Sequence, residues 1–252
     1  MGDRVVNVSE ETLTTPAPAR FAAAPGGVRS YLRKIFAIVA KDLTTEIRSR
    51  DMLSSMGAFA VLVIFVFAFA FDLRVARSAA TAAPGVLWVV ITFAGMLGLN
   101  RSLAAEFDRG SFDGLRLAPI DRSAIFIGKA LGNFIFMSAI EAIVLPLFVA
   151  FFNLPFIKPM ILVSVVLGTI GFASVGTLLA TMAANTRLRD VLLPILMLPV
   201  ALPALLAAVK CTAGALDDAP FELWGNWLGL LLAYDLALGG LAVLTFEYIV
   251  ED

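Results

Sequence analysis

Six long apolar stretches divide this chain, and they constrain its fold more than any other feature. Four carry no Asp, Glu, Lys or Arg: Met52 to Phe71, Ser78 to Asn100, Pro159 to Thr186 and Val191 to Val209. Two more, over residues 124–152 and 221–247, are interrupted by Glu141 and Asp235. Spanning the ~30 Å hydrocarbon layer takes about 20 apolar residues in helical conformation. With 60% hydrophobic residues in 252, the chain holds far more apolar surface than a soluble core of this size can hide. The expectation is an all-α membrane protein with six transmembrane helices, at about 52–71, 82–103, 124–152, 159–184, 191–210 and 221–247.

Basic residues accumulate on the cytoplasmic side of membrane proteins. With both termini in the cytosol, thirteen Lys and Arg from Arg29 onward fall inside, including Arg101, Arg109, Arg116, Arg122, Lys129, Arg187 and Arg189, against four outside: Arg74, Arg77, Lys158 and Lys210. The formal net charge of −1 averages two opposed surfaces and says nothing about partners. Residues 1–28 are rich in Thr, Pro, Ala and Gly, have no apolar run, and read as a disordered cytosolic tail ahead of a membrane domain over 29–252. The single cysteine, Cys211, has no internal disulfide partner and reads as a small buried or interfacial residue.

Between Val28 and Ile47 the apolar residues Tyr31, Leu32, Ile35, Phe36, Val39 and Leu43 recur at three- and four-residue spacing, with charges between them. That pattern predicts an amphipathic interfacial helix. It is either a membrane anchor or also a contact for a cytosolic partner, through Lys41, Asp42, Glu46, Arg48, Arg50 and Asp51.

The segment from Glu106 to Arg122 is too polar to span and too apolar for a plain linker. Gly110 and Gly114 permit turns, Pro119 ends any helix before it, and Asp121-Arg-Ser123 supplies capping chemistry for the third span. A short surface helix fits, with Glu106, Asp108, Asp113 and Asp121 interleaving with Arg109, Arg116 and Arg122. Such alternation suits docking by paired charges, or a solvated loop with local ion pairs.

Glu141 and Asp235 are costly in lipid, by about 3 kcal/mol each on insertion scales, so they face the bundle interior or a water-filled path. They are parts of a substrate or proton route, or protonated structural residues. Gly225, Gly229, Ala233 and Ala237 recur every fourth residue on the last span, as do Gly176, Ala180 and Ala184 on the fourth, and both stripes are expected to serve packing within the chain. Pro194, Pro199 and Pro203 favour kinks in the fifth span, which suits a gate but is also tolerated in passive helices.

The chain has no histidine, which rules out His-based triads and His-ligated zinc or haem within it. It has no phosphate-binding G-x-x-x-x-G-K-[ST] loop either, since Gly128-Lys129 is followed by Ala130. Nothing catalytic is encoded, no nucleic-acid partner is indicated, and any ATP hydrolysis belongs to another subunit.

Four groups of residues in this order resemble the CcmB family, the membrane subunit of the cytochrome c maturation ABC transporter. They are Lys41-Asp-Leu-x-x-Glu46-x-Arg48, Pro84-Gly-Val-Leu-Trp88, Glu106-x-Asp-x-Gly110 with Leu115-x-Leu-x-Pro119, and Leu193-Pro-Ile-Leu-Met-Leu-Pro199 with Pro203. The resemblance runs from about residue 33 to the C-terminus. It implies an ABC exporter-type permease, in a bacterial inner membrane or an organellar one, that works with a cytosolic ATPase, CcmA, and the haem-handling membrane proteins CcmC and CcmD. The implied task is haem export or ATP-driven release of the haem-loaded chaperone CcmE. No cofactor is expected on the chain itself; ATP acts through the partner and haem is handled by the complex. By position, the ATPase-contacting region implied by the resemblance maps to Glu106, Asp108, Arg109, Gly110, Asp113, Leu115 and Pro119, with Lys41 to Arg50 as a second contact. Two alternatives stay open on the residues alone: an ABC permease exporting a lipid, drug or glycan, and a proton-coupled transporter using Glu141 and Asp235.

Overall fold

The computed structural model describes residues 27–70, 76–108, 121–184, 186 and 188–249. Among them are seven helices: α1 (Val28–Ser49), α2 (Asp51–Ala70), α3 (Ala76–Asp108), α4 (Arg122–Phe152), α5 (Pro159–Ala184), α6 (Arg189–Leu216) and α7 (Phe221–Ile249). Each of the six apolar stretches forms one helix, α2 to α7, long and apolar enough to cross a membrane. The fifth runs further than expected, continuing past Lys210 to Leu216 because Cys211, Thr212 and Ala215 are buried against its neighbours. The tail over 1–26 lies outside the described residues.

α5 is the hub, touching α3, α4, α6 and α7, while α3 touches α2, α4, α5 and α6. In its most apolar stretch α3 is 72% buried and α7 only 17%, which makes α3 part of the core and α7 a peripheral flank. Helices in lipid gain no hydrophobic drive from meeting one another, so close packing and interhelical hydrogen bonds must hold them. Both are present. Trp88 of α3 is wedged between α5 and α6: its indole N–H donates to Thr212 Oγ1 at 3.0 Å, and its ring lies over Gly168. Asn133 of α4 donates to Thr177 Oγ1 of α5 at 2.9 Å, with both side chains buried.

Glycine is required where rings and branched chains meet a neighbouring backbone. A Cβ on Gly168 would overlap the Trp88 indole, which its bond to Thr212 prevents from yielding. Gly168→Ala is therefore expected to cost about 2 kcal/mol through overpacking, read as a lowered Tm in detergent. Gly176 meets Leu99 and Met197 in the same manner, so the small stripe on α5 does pack within the chain.

The stripe on α7 does not. Gly229 has open space where a Cβ would stand, Ala233 and Ala237 are exposed, and Gly225 meets only Phe221 of its own helix. Its expected role in internal packing is corrected, because α7 turns Leu231, Tyr234, Ala242 and Phe246 inward instead. Spacing locates a stripe; which side of the helix the neighbours occupy decides its use.

α1 packs along the first turns of α4. Tyr31 OH donates to Ser123 Oγ at 3.1 Å, Ile35 and Val39 cover Ala124, and Ile38 lies on Gly128. Positions on the two helices advance together. α1 ends where Arg50 adopts a left-handed conformation (φ 57°), its N–H donating to the Glu46 carbonyl at 2.7 Å. Glu46 then serves the next helix: its Oε1 accepts the Leu53 N–H at 2.8 Å, satisfying one of the amides that a helix start leaves without an internal partner.

Candidate functional site

One end of the bundle gathers the charged residues. It comprises α1, the last turns of α3, the first turns of α4, the α5–α6 junction and the end of α7, where the Phe246 ring lies tilted against Phe126 with centroids 5.2 Å apart. Glu106 and Asp108 fall in the last turn of α3. Arg109, Gly110, Asp113, Leu115 and Pro119, and the surface helix expected there, lie outside the described residues. Asp121 resumes the chain at the head of α4. Its carboxylate makes no capping bond, contrary to expectation; it faces Lys34 of α1 at 3.8 Å, and the backbone carbonyl of Asp121 takes the Ala124 amide instead. Ser123, likewise, accepts from Tyr31.

The second group of candidates, Lys41 to Arg50, divides in two. Asp42 and Glu46 turn inward: Asp42 meets Lys129 of α4, Oδ2 to Nζ, at 2.8 Å, and Glu46 is buried at the α1–α2 corner. Lys41, Arg48 and Arg50 are exposed, with Lys41 Nζ 3.3 Å from the other oxygen of Asp42. Lys129 is only 3% exposed. Counted along the sequence it belongs to the loop cations, yet it is the anchor for α1. Its flanks carried the signal: Gly128 and Gly132 sit on one face of α4, and there Ile38 and Asp42 approach closely. Small residues around a lone cation on an apolar helix mark a helix seat holding a buried ion.

The intramembrane acids lie on either side of α5. Glu141 of α4 is buried and accepts a hydrogen bond from Thr169 Oγ1. Asp235 of α7 faces Gly171, beside Tyr234, and among the described residues its carboxylate oxygens have no hydrogen-bond partner. Tyr234 reaches α6, donating to the Val200 carbonyl at 3.1 Å next to the Pro199–Pro203 segment. Thr169 and Gly171 are two residues apart, about 3 Å along the axis, so the two acids share a depth. Among the described residues no hydrogen bond joins them across α5. Glu141→Gln keeps an acceptor for Thr169 and is expected to leave stability and activity within twofold of wild type, whereas Glu141→Ala loses about 2 kcal/mol. Loss of activity in the Gln variant, measured in vesicles, would instead mark a proton step.

At the opposite end, Lys158 in the α4–α5 loop donates to the carbonyls of Ala215 and Leu216 at 3.1 and 3.0 Å and to Asp218 at 2.7 Å, closing the end of α6. The described residues contain no cluster of three His, Cys, Asp or Glu able to hold a metal.

The model of the family described as CcmB protein matches residues 33–248. The heme exporter protein B of Rhodobacter capsulatus is 32% identical over 205 residues, covering 80% of this chain and 93% of its own. That of Pseudomonas aeruginosa is 26% identical over 207 residues, covering 82% and 92%. With the family match extending from the second turn of α1 to the end of α7, over the packed helices just described, the chain belongs to the CcmB family.

Proposed function

We propose that this protein is the non-catalytic membrane subunit of an ATP-driven system for cytochrome c maturation, taking part in haem export or in release of a haem-loaded chaperone. The observation that carries this is the family match over nearly the whole membrane domain, together with relatives named heme exporter protein B. The absence of histidine supports the release variant, since haem iron passing through would find no imidazole on the chain.

The working face is the charged end of the bundle, and its excess of Lys and Arg supports a cytosolic position. A cytosolic ATPase docks on the segment from Glu106 to Pro119, with Lys41, Arg48 and Arg50 as a second contact. Nucleotide closes the ATPase pair and displaces that segment, and the attached α3 and α4 carry the change through the membrane as a two-state shift. The pairing of Asp42 with Lys129 supports this, because a push on α4 also moves α1.

Purification of the tagged chain from native membranes in mild detergent is expected to bring down an ATPase and haem-handling membrane proteins, identified by mass spectrometry. An ATPase without haem proteins would favour a permease for another cargo. No ATPase at all would overturn the proposal.

A further inference from the structure

Two side chains fill neighbouring glycine notches on α5, and they are held differently. Trp88 of α3 lies over Gly168, and its indole N–H is fixed by Thr212. At Gly171 the notch is filled by the Asp235 carboxyl of α7, which a Cβ there would overlap while pressing on the Tyr234 ring. Both oxygens of Asp235 are buried, and among the described residues neither has a hydrogen-bond partner. α7 is also the least buried of the six spans. Along this seam it therefore meets α5 through a polar group that makes no bond.

No charge in the neighbouring spans compensates that group. α7 packs on α4, α5 and α6. α5 carries no Asp, Glu, Lys or Arg over Pro159–Ala184, and α6 carries none from Val191 to Val209. On α4, Glu141 lies across α5 and is engaged by Thr169, while Lys129 is paired with Asp42 at the charged end of the bundle. On α7 itself the titratable neighbour is Tyr234, whose hydroxyl donates to the Val200 carbonyl of α6 at 3.1 Å. An unpaired carboxylate is among the costliest side chains to place in hydrocarbon. The notch accepts the neutral acid, whereas a carboxylate needs donors that here only water can bring.

We propose that Asp235 and Gly171 form a proton-controlled latch between α7 and α5. As the neutral acid, Asp235 lies in the notch and the two helices stay together. On losing its proton to entering water, the carboxylate leaves the notch and the helices part at mid-membrane. Tyr234 then withdraws from Val200, and the Pro199–Pro203 stretch of α6, already short of the N–H donors of its prolines, loses its tie to α7. The latch rests on α5 and α7 being membrane spans, and on neither haem nor an ATPase.

The test places spin labels on Ile170→Cys of α5 and Leu236→Cys of α7, both exposed, in the full-length protein in nanodiscs. Their separation is followed from about pH 5 to about pH 9; Cys211 is buried and takes no label. In the otherwise unchanged chain the separation is expected to lengthen by at least about 3 Å as the pH rises, the room one hydrating water needs. Asp235→Asn, uncharged at every pH, keeps the short separation throughout, and Glu141→Gln leaves the response intact. Gly171→Ala, whose methyl group occupies the notch, gives the long separation already at the acidic end, which keeps the test decisive if the asparagine variant does not insert. The latch is overturned by a separation that ignores pH in the unchanged chain, by an Asp235→Asn variant that still responds, or by a Glu141→Gln variant that does not. A Gly171→Ala variant as closed at acidic pH as the unchanged chain overturns it equally.

Discussion

If the proposed ATPase docks there, reversing Glu106 and Asp108 to Lys is expected to reduce cytochrome c maturation at least tenfold while membrane insertion and ATP hydrolysis by that proposed partner continue. The two acids occupy the last turn of α3, the helix whose other end reaches across the bundle past Gly168 and Thr212. Opposed charges across an interface fix register and exclude wrong partners, and like charges brought together there cost several kcal/mol. A loss of about 1.4 kcal/mol per tenfold means that two reversals suffice to abolish productive docking. Because neither position lies within the apolar span, the helices still insert. Holocytochrome c assayed by haem staining, alongside ATPase activity of the purified complex, checks this. Undiminished maturation in the double variant would count against docking at that turn.

Lys129→Met is expected to destabilise the protein by about 3 kcal/mol, the low end for breaking a buried ion pair. The cost arises from Asp42, 11% exposed, which loses its closer cation; Lys41, at 3.3 Å from the other oxygen, keeps the figure from being larger. Restoring neutrality with D42N/K129M recovers most of the loss, since a buried pair exchanged as a unit leaves no uncompensated charge. Thermal melting in detergent gives the stability. If coupling runs through α1, the double variant also keeps its fold while losing maturation. A double variant as unstable as the single one would mean that the pair is not what seats α1.

The number and position of the spans were legible because lipid demands about twenty apolar residues in a row, a demand each stretch states on its own. α1 was legible for a similar reason, its period being a property of one helix. What could not be read were choices made between helices. Lys129 stands among loop cations in sequence, and only the closeness of Ile38 and Asp42 to Gly128 and Gly132 makes it an anchor. Asp121 has the chemistry of a cap but finds Lys34 near enough to face it instead. The two small stripes have the same spacing, and α5 uses its stripe inward because neighbours surround it, while α7 has them on its other side. Glu46 was read as a surface charge, whereas its work is at the start of α2.

The seating of α1 also sets an order of events during synthesis. Asp42 and Lys129 are 87 residues apart, a gap that takes roughly 4–17 s to translate at about 5–20 residues per second. Throughout that interval α1 has left the ribosome and α4 has not, so Ile35, Ile38 and Val39 have only the lipid surface to shelter them. The helix therefore waits on the membrane with its apolar side down, then turns that side onto α4 when the third span is inserted.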